Sequence, residues 1–418
     1  MAAGPGPGYH PTRVIRSPRL RVRPNPNPLG RLILNAMSEL LQRLAVADDV
    51  GPVLSLYLRT DPREPANKNQ TPAWLVELRN GMRGLARRLD EDGPREERLA
   101  LRELSDRIED EVIALDPAKR ARGLAWFIAP GGGLDHRLSL QLPPRENHVI
   151  WDSRPFVSPL VDVADRGRPT GLVLVGGDVV RLLHWEAGRV SEPERSIYEL
   201  ELGDWREYAA YAASNPARGQ QTATNVEAYR DRVEEWRDRF LRAAAAATGG
   251  RLQELGWDRV LLISEGQVAT RFAEDLPDEV LQRVAATVTG NLLGAEPAAV
   301  AEHLETELSE LWRRHGQELA TLATDAAAAG ERGAAGWSDV LDCLVQGRVE
   351  HLILAAGADP PRDLAPATRE ALGDPSPEML LERSVERAIE LGAEITMLSP
   401  EDSALLADAG GAAAVLRF

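Results

Sequence analysis

Four adjacent residues, Arg218, Gly219, Gln220 and Gln221, have the types and the position best suited to chemistry. They belong to a polar stretch, 214–225, in which a glycine and two neighbouring amides are typical of an exposed loop tip. A helix is predicted directly after this stretch, and its free N–H groups and dipole favour a bound anion or a developing negative charge. The sequence therefore predicts a loop presented to an anionic partner, although a polar turn of this composition is also common by chance.

The helix behind the loop has a clear apolar face. Apolar side chains recur at i+3/i+4 spacing, at Val226, Tyr229, Val233, Trp236 and Phe240. Thr224 and Glu227 have the spacing of a capping box and predict where the helix starts. Arginines on the other faces alternate with acidic residues, which is typical of a salt-bridged solvent face. An RNA-facing subset that includes Arg230 is the alternative.

Composition restricts the class of protein. The chain has 418 residues, 43% of them hydrophobic and 27% charged, which predicts a soluble protein of two to four domains. No apolar run approaches the length of a membrane span. Cys343 is the only cysteine, so an internal disulfide and a thiolate zinc cluster are excluded, and we expect a cytoplasmic protein. A net charge of −16 argues against non-specific coating of nucleic acid.

The segment 1–36 differs from this acidic background. It contains six arginines and no acidic residue, and prolines interrupt it: Arg13, Arg16, Arg19, Arg21, Arg23 and Arg31. We expect a disordered basic tail, or a gene start that extends upstream of a true start at Met37. A dedicated RNA-binding arm is the less favoured alternative.

Other candidate groups give weaker signals. The seven histidines show no metal-ligand spacing and are expected to be solvated or satisfied. Asp178 follows Gly176 and Gly177 in a predicted hairpin, but a nuclease of the RNase H type needs several carboxylates that converge on metal ions. No metal and no cofactor is therefore predicted.

Alternating helices and strands predict an α/β protein. Apolar runs and glycine turns divide it into an α/β N-terminal domain (37–150), a middle domain that carries the loop (151–295) and a C-terminal α/β sandwich (296–418). Arg259–Ile263 is predicted to be a central strand that follows the crossover helix behind the loop.

Three separated stretches resemble one family, the archaeo-eukaryotic class 1 peptide-chain release factors and Pelota, in the divergent form found in bacteria. The loop with its helix resembles the family's Gly-Gly-Gln loop and the arginine-rich helix behind it. The stretch 256–266, followed by Phe272, is similar to the strand and glycine turn that close the family's middle domain. The stretches 346–354 and 410–418 resemble the family's C-terminal domain and its closing Leu-Arg-aromatic signature.

This resemblance implies a three-domain α/β architecture. It comprises a divergent α/β N-terminal domain, an RNase-H-like middle domain and a ribosomal-protein-like α/β sandwich at the C-terminus. It also implies that the protein acts in the ribosomal A site, where the loop reaches toward the acceptor end of peptidyl-tRNA. The N-terminal domain lacks the Asn-Ile-Lys-Ser motif of the stop-codon reader, so reading of stop codons is not expected.

Carried over residue by residue, Gln220 matches the family's glutamine and Gly219 its second glycine. In the family, this glutamine helps to place a water at the ester between peptide and tRNA, and a backbone N–H stabilises the charge that develops. Arg218 replaces the first glycine and Gln221 replaces a small residue. If the Arg218 position needs a positive φ, a non-glycine residue costs roughly 1–3 kcal/mol there. Arg218 is also suited to contact tRNA or rRNA phosphates.

Two hypotheses follow. The first is a peptidyl-tRNA hydrolase that acts on stalled or non-programmed ribosomes, with Gly219 and Gln220 as catalytic residues. Arg218, Gln221 and Arg230 would then contact rRNA or tRNA. The second is a non-catalytic occupant of the A site, a hibernation or rescue factor similar to Balon and Pelota. In both, the ribosome is the partner, and a translational GTPase that docks near the C-terminal domain is inferred from the family alone.

Overall fold

The structure of this chain, a computed structural model, describes these residues: 20–23, 32–47, 50–115, 121–200, 221–358 and 360–418. Side chains are described from Met37 onward, except at 221–230. Within these residues, helices cover three separate sheets of seven, four and four strands. The α/β class and the three-part architecture predicted from the sequence are therefore confirmed. None of the described helices is long and apolar enough to cross a membrane.

Two elements precede the first sheet in the chain. Strand β1 (Leu20–Arg23), which lies inside the segment predicted to be a basic tail, pairs antiparallel with residues 197–200 at the edge of the middle sheet. Helix α1 (Leu32–Ala45) buries Leu40, Leu41 and Leu44 in a core that also contains side chains of the first and last sheets. The N-terminal segment thus contacts all three parts of the protein.

The first sheet is antiparallel and has helices on one face. Its strands, in the order β4-β3-β2-β5, are β2 (Val53–Leu58), β3 (Gly123–Ile128), β4 (Asp135–Leu140) and β5 (His148–Asp152). Helices α2 (Ala73–Asp92) and α3 (Arg95–Ala114) bury their apolar stripes against Leu54, Leu56 and Leu58. Because side chains alternate along a strand, Val53 and Tyr57 of the same strand face the other way.

Helix α4 (Ser158–Arg166) fills the space on that second face. The Tyr57 hydroxyl donates to the carbonyl of Phe156 at 2.7 Å, just before α4 begins. Apolar side chains of the first sheet, of α4 and of the last sheet share one continuous core, in which Val53, Leu160 and Val385 are at most 1% exposed. The first and last sheets are therefore held together by burial of apolar surface, the dominant favourable contribution in folding.

The middle sheet carries the helix behind the predicted loop. Beside β1, its strands are β6 (Thr170–Val175), β7 (Val179–Glu186), β8 (Arg189–Ser191), β9 (Ile197–Leu200), β10 (Arg259–Ser264) and β11 (Val284–Thr289). The order is β1-β9-β7-β6-β10-β11, with β8 beside β7. Strands β9, β7 and β6 are antiparallel neighbours, whereas β10 and β11 run parallel to β6. This mixed sheet agrees with the RNase-H-like domain that the family resemblance implies, and β10 has a neighbouring strand on each side, as expected of a central strand.

Helices cover both faces of the middle sheet. They are α5 (Gln221–Leu255), α6 (Val268–Glu274), α7 (Asp278–Leu281) and α8 (Pro297–His303). Helix α5 packs on the face that carries Val173 and Val260. Helix α8 and the start of the following helix pack on the opposite face, against Leu172 and Leu261.

The last sheet is the centre of a three-layer sandwich. Its strands, in the order β12-β15-β13-β14, are β12 (Gly333–Ala335), β13 (Val349–Ala355), β14 (Glu394–Leu398) and β15 (Ala412–Leu416). The helices of this region are α9 (Glu305–Ala328), α10 (Trp337–Val345), α11 (Pro366–Ala371) and α12 (Leu380–Glu390). The second half of α9 packs against Ile353, whereas α10 and α12 pack against the side chains of Leu352 and Leu354.

Helix α9 is shared between two sheets. Leu308, Leu311 and Trp312 in its first half pack on the middle sheet, and Ala320 and Ala323 in its second half pack on the last sheet. The domain boundaries expected from the sequence, at 150 and 295, remain a prediction.

A buried carboxylate joins the last sheet's helices to α4. Glu382 of α12 is 1% exposed and accepts hydrogen bonds from the backbone N–H groups of Val157 and Ser158 and from the Ser158 hydroxyl. These donors lie at the start of α4, whose first N–H groups lack partners within the helix. Glu382 therefore satisfies the N-terminus of α4 from a position more than 200 residues away in the chain. Burial, opposed by these hydrogen bonds and reinforced by the charge of Glu386, raises the pKa of Glu382 to about 8.

We expect Glu382 to make stability fall as pH rises from the ordinary glutamate pKa of 4.5 to about 8. The folded chain retains this proton up to about pH 8, whereas the unfolded chain loses it near the ordinary glutamate pKa. Between these values the unfolding free energy decreases with pH by up to about 1.4 kcal/mol per unit. Glu382→Gln should flatten the decline between pH 6.5 and 8.5 in denaturant titrations. The exposed Glu378→Gln serves as control, and an unchanged decline in Glu382→Gln would contradict the assignment.

Candidate functional site

The predicted loop is bounded by two described elements. Strand β9 ends at Leu200 and α5 begins at Gln221. Arg218, Gly219 and Gln220 lie outside the described residues. The backbones of Gln221 and Arg230 belong to α5, whereas their side chains are outside the described part. In the chain, Gln220 directly precedes the first residue of this helix, and the role of the loop residues remains a prediction.

The start of α5 differs from the expectation. Thr224 and Glu227 predict a cap, but the helix already begins at Gln221, so Thr224 lies within its first turn. Glutamine and alanine have high helix propensity, and Gln221 and Ala223 allow the helix to extend past the candidate cap. Gln221, the last residue of the candidate loop, is therefore the first residue of the helix.

Among the described side chains of helix α5, residues 231–255, the buried ones begin at Phe240. Phe240, Leu241 and Leu252 are each 3% exposed and pack in the core of the middle sheet. From 231 to 239 no side chain is buried, and Val233 and Trp236 of the predicted apolar stripe are only half-buried. Phe240 is thus the first anchoring side chain of the described part of the helix, counted from the loop.

The distance from anchor to loop follows from helix geometry. Gln221 and Phe240 are 19 residues apart in a continuous helix. At a rise of about 1.5 Å per residue, this separation is about 28 Å. The first residue of this long helical arm therefore lies far from the core that fixes the arm.

Polar contacts brace the base of this arm on two sides. On one side, a Cβ at Gly177 in the β6–β7 turn would lie 3.7 Å from Arg237 Nε, so the guanidinium group lies over the turn. On the other side, Asp238 pairs with Arg271 of α6, and Arg242 Nε lies 3.4 Å from Asp275 Oδ1. Exposed ion pairs each contribute only about 0–1 kcal/mol. The buried apolar side chains therefore hold the helix in place, and the ion pairs contribute little free energy.

The charged side chains of α5 form ion pairs both within the helix and with a neighbouring element. Glu235 and Arg239 form the i,i+4 pair expected of a salt-bridged solvent face. Asp238 and Arg242 instead reach α6 and the residue after it. The predicted solvent face is thus found for one pair, and the remaining pairs connect α5 to the sheet's other helices.

Trp257 fixes the other end of the arm. Gly256 ends α5 with a φ of +62°, and the completely buried Trp257 then packs flat against Gly171 of β6. A Cβ at Gly171 would lie 2.3 Å from the indole ring. The indole N–H donates to His184 Nδ1 at 3.0 Å, and His184 Nε2 lies 3.2 Å from Glu186 Oε2.

These contacts fix the tautomer of His184. Because Nδ1 accepts the hydrogen bond from Trp257, the proton of the neutral ring is on Nε2 and is donated to Glu186. His184 is the satisfied histidine that the sequence predicts. The role of Gly171 was not predicted, although a glycine inside a strand is a known sign of close approach by another group.

Asp178, the carboxylate considered for nuclease chemistry, lies in the β6–β7 turn, where its backbone carbonyl accepts a hydrogen bond from Leu200 at 2.9 Å. Among the described residues, no group of three or more His, Cys, Asp or Glu side chains is arranged to hold a metal ion. The arrangement around α5 is therefore suited to presenting a loop, and the chemistry depends on the loop residues.

Comparison with known proteins identifies the region around this arm. Residues 155–309 match the family described as bacterial archaeo-eukaryotic release factor family 10. This region contains the candidate loop, the whole of α5 and most of the middle sheet. No curated protein matches the chain.

Several solved structures are similar over most of the chain. The archaeal translation termination factor aRF1 is 18% identical over 93% of this chain and 99% of its own, with a TM-score of 0.25. Dom34 of S. cerevisiae, described as a translation termination-like factor that interacts with Hbs1, is 12% identical over 68% and 72%, with a TM-score of 0.37. An archaeal Pelota, described as ribosome-bound with ABCE1, is 13% identical over 93% and 95%, with a TM-score of 0.38.

The middle region, residues 155–309, is therefore similar to the bacterial archaeo-eukaryotic release factors of family 10. The resemblance predicted from the sequence is confirmed.

Gly171→Ala should destabilise the base of the arm. The added methyl group would overlap the ring of Trp257, and overpacking of this kind typically costs about 1–3 kcal/mol. Chemical denaturation should show a lower midpoint for this variant. Gly250→Ala is the matched control, because Gly250 is exposed on α5 with no atom near its would-be Cβ. There the same change should stabilise by about 0.5–1 kcal/mol. Equal effects at both positions would contradict the packing argument.

Proposed function

We propose that this protein is a peptidyl-tRNA hydrolase that acts on stalled or non-programmed ribosomes and does not read stop codons. The observation that carries the proposal is the position of Gly219-Gln220. The pair lies inside the release-factor region and immediately before a helix whose buried anchor is about 28 Å away. A rigid arm of this length suits a reaction centre that lies deep in a large partner.

The proposed chemistry is hydrolysis of the ester between the nascent peptide and tRNA. A water oxygen forms a bond to the ester carbonyl carbon, the bond from that carbon to the tRNA 3′ oxygen breaks, and the proton lost by the water passes to the 3′ oxygen. The Gln220 amide orients the water, and a backbone N–H of the Gly219–Gln220 segment stabilises the negative charge that develops. Donors of this kind act where charge develops in the transition state.

The same proposal assigns the partners. The protein occupies the A site, from which its loop contacts the peptidyl-tRNA. Arg218, Gln221 and Arg230 contact phosphates of rRNA or tRNA. A translational GTPase would deliver the protein or act with it through the C-terminal domain. Support for these contacts comes from the family resemblance.

Gln220→Ala should slow peptide release strongly. Loss of one positioned group in a hydrolytic centre typically lowers the rate about 10²–10³-fold. The measurement is release of labelled peptide from purified ribosomes that carry peptidyl-tRNA, with ribosome binding followed by co-sedimentation. Gln253→Ala, an exposed glutamine at the anchored end of α5, is the matched control. Release by Gln220→Ala at the wild-type rate would refute the catalytic role.

A second function, non-catalytic occupancy of the A site, is favoured by one residue. Arg218 stands where the family has its first glycine. If that position takes a positive φ, the arginine disfavours the hydrolytic loop conformation by roughly 1–3 kcal/mol. The protein would then bind the ribosome and protect or mark it without releasing the peptide.

Arg218→Gly separates the two functions. If the loop conformation limits hydrolysis, this variant should release peptide about 5–150-fold faster than the wild type, which is the factor that corresponds to roughly 1–3 kcal/mol. Arg218→Ala controls for loss of charge, because alanine lacks the conformational freedom of glycine. A wild type that binds ribosomes without releasing peptide would favour the occupant function. A wild type that releases peptide at least as fast as Arg218→Gly would refute it.

A further inference from the structure

A cleft of about 1030 Å³ lies where the three sheets and their helices meet. Its walls come from the end of β2, the β4–β5 connection, α4, the β7–β8 turn, the α8–α9 region and β14 with the loop that follows it. Seven arginines line it: Arg59, Arg63, Arg122, Arg145, Arg166, Arg189 and Arg313. Six carboxylates line it as well: Glu146, Asp165, Glu302, Glu305, Glu401 and Asp402.

Two of these arginines are oriented by one buried aspartate. The Asp61 side chain is only 4% exposed, and its Oδ2 lies 2.7 Å from Arg122 Nε and 3.1 Å from Arg63 Nη2. Burial alone would raise the pKa of Asp61, but the hydrogen bonds from Arg63 and Arg122 lower it to about 2. Both arginines also reach Glu305 at the start of α9.

A second aspartate orients two arginines in the same way, and a third aspartate holds one. Asp162 of α4 accepts from Arg145 Nε and Arg166 Nε, each at 2.8 Å. Asp402, after β14, accepts from Arg313 Nη1 at 3.1 Å. Both carboxylates are 7% exposed. Three buried aspartates therefore hold five arginines, and Glu305 and Glu310 pair with three of the same arginines, so the charges of this group balance.

These arginines retain donors for a ligand. A guanidinium group has five N–H donors, and one or two bonds to a carboxylate leave the others available. The five side chains are between 19% and 44% exposed. Arg189 is exposed and has no ion pair among the described residues. Glu302 and Glu401 also line the cleft and lower its positive charge on one side.

The wall of the cleft also has an aromatic part. Trp185 and Trp312 stack with ring centroids 6.3 Å apart, and Trp312 is 8% exposed. Small-molecule sites typically occupy about 300–1000 Å³ and combine apolar walls with a few positioned polar groups. The cleft therefore has the size and the composition for a phosphorylated small molecule, whereas a nucleic-acid duplex is too large for it.

We propose that this cleft binds a small ligand that carries several phosphate groups, of the nucleoside di- or triphosphate class. The phosphates contact Arg189 and the free N–H groups of the arginines held by Asp61, Asp162 and Asp402. Arginine geometry matches phosphate oxygens bidentately, and the buried aspartates fix the guanidinium groups before the ligand arrives. Binding would fasten the three parts of the protein to one another, because each contributes to the walls.

Isothermal titration calorimetry on the full-length protein tests the proposal, with inorganic tripolyphosphate, ATP and GTP as probes. We expect saturable binding of one ligand per chain to at least one of them, weakened as salt rises. Arg189→Ala should raise Kd about tenfold, since one hydrogen bond between charged groups is lost. Glu302→Gln should lower Kd, because an exposed like charge is removed. Arg88→Ala, an exposed arginine on α2 outside the cleft, should leave Kd unchanged.

The opposite signs at Arg189 and Glu302 distinguish a ligand site from arginines that only join the domains. Circular dichroism and melting curves establish that each variant is folded. Absence of binding by all three probes up to millimolar concentration would overturn the proposal. Binding that ignores both Arg189 and Glu302 would place the ligand elsewhere and would overturn it as well. A short oligouridylate that binds through Arg189 when none of the small probes binds would replace the small ligand with single-stranded RNA.

Discussion

Helix α9 is the element on which the arrangement of the three sheets depends. Its first half closes the core of the middle sheet through Leu308 and Leu311, and its second half closes that of the last sheet through Ala323. Gly316, between these halves, permits the close approach of β14, because a Cβ there would lie 2.9 Å from Leu398. Glu305 at the start of the helix pairs with two arginines of the first sheet's region. One continuous helix thus fixes the relative positions of three cores, and helices bend sharply only at identifiable breaks.

The middle sheet connects helix α9 to helix α5, the helix that follows the predicted loop. The two faces of the middle sheet carry α9 and α5, and each strand of its centre contributes alternate side chains to both. Leu261 faces α9, whereas Val260 and Leu262 face α5. A displacement of the first or last sheet would therefore reach the arm through closely packed side chains, which resist compression.

Local sequence patterns predicted local structure, but they did not predict the long-range contacts. The period of apolar residues predicted the helix behind the loop and the central strand β10, because both report which face of an element is buried. The period of apolar residues does not show which sheet covers the buried face, so the packing of α9 on two sheets could not be predicted from it. Glu382 at the start of α4 and Glu305 beside Arg63 join residues more than 200 positions apart. No spacing rule connects them, and at the sequence level each is an ordinary helical glutamate. The capping box at Thr224 predicted too late a start for α5, because a capping box does not outweigh good helix formers that precede it.

The arginines of this acidic protein fall into two physical classes. Arg239 on the arm pairs with the exposed Glu235, and breaking an exposed i,i+4 pair costs only about 0.3–0.5 kcal/mol. Such an arginine can exchange a carboxylate for an RNA phosphate at little cost in free energy. Arg122 and Arg145 are held by carboxylates that are almost completely buried. A carboxylate of this kind that lost all its partners would be an uncompensated buried charge, at a cost of about 3–5 kcal/mol. These arginines can therefore accept a further anion only while they keep the aspartate that holds them. In the proposed functions, the exposed arm is therefore better suited to contacts with a large RNA partner, and the cleft is better suited to a ligand that adds to the existing ion pairs.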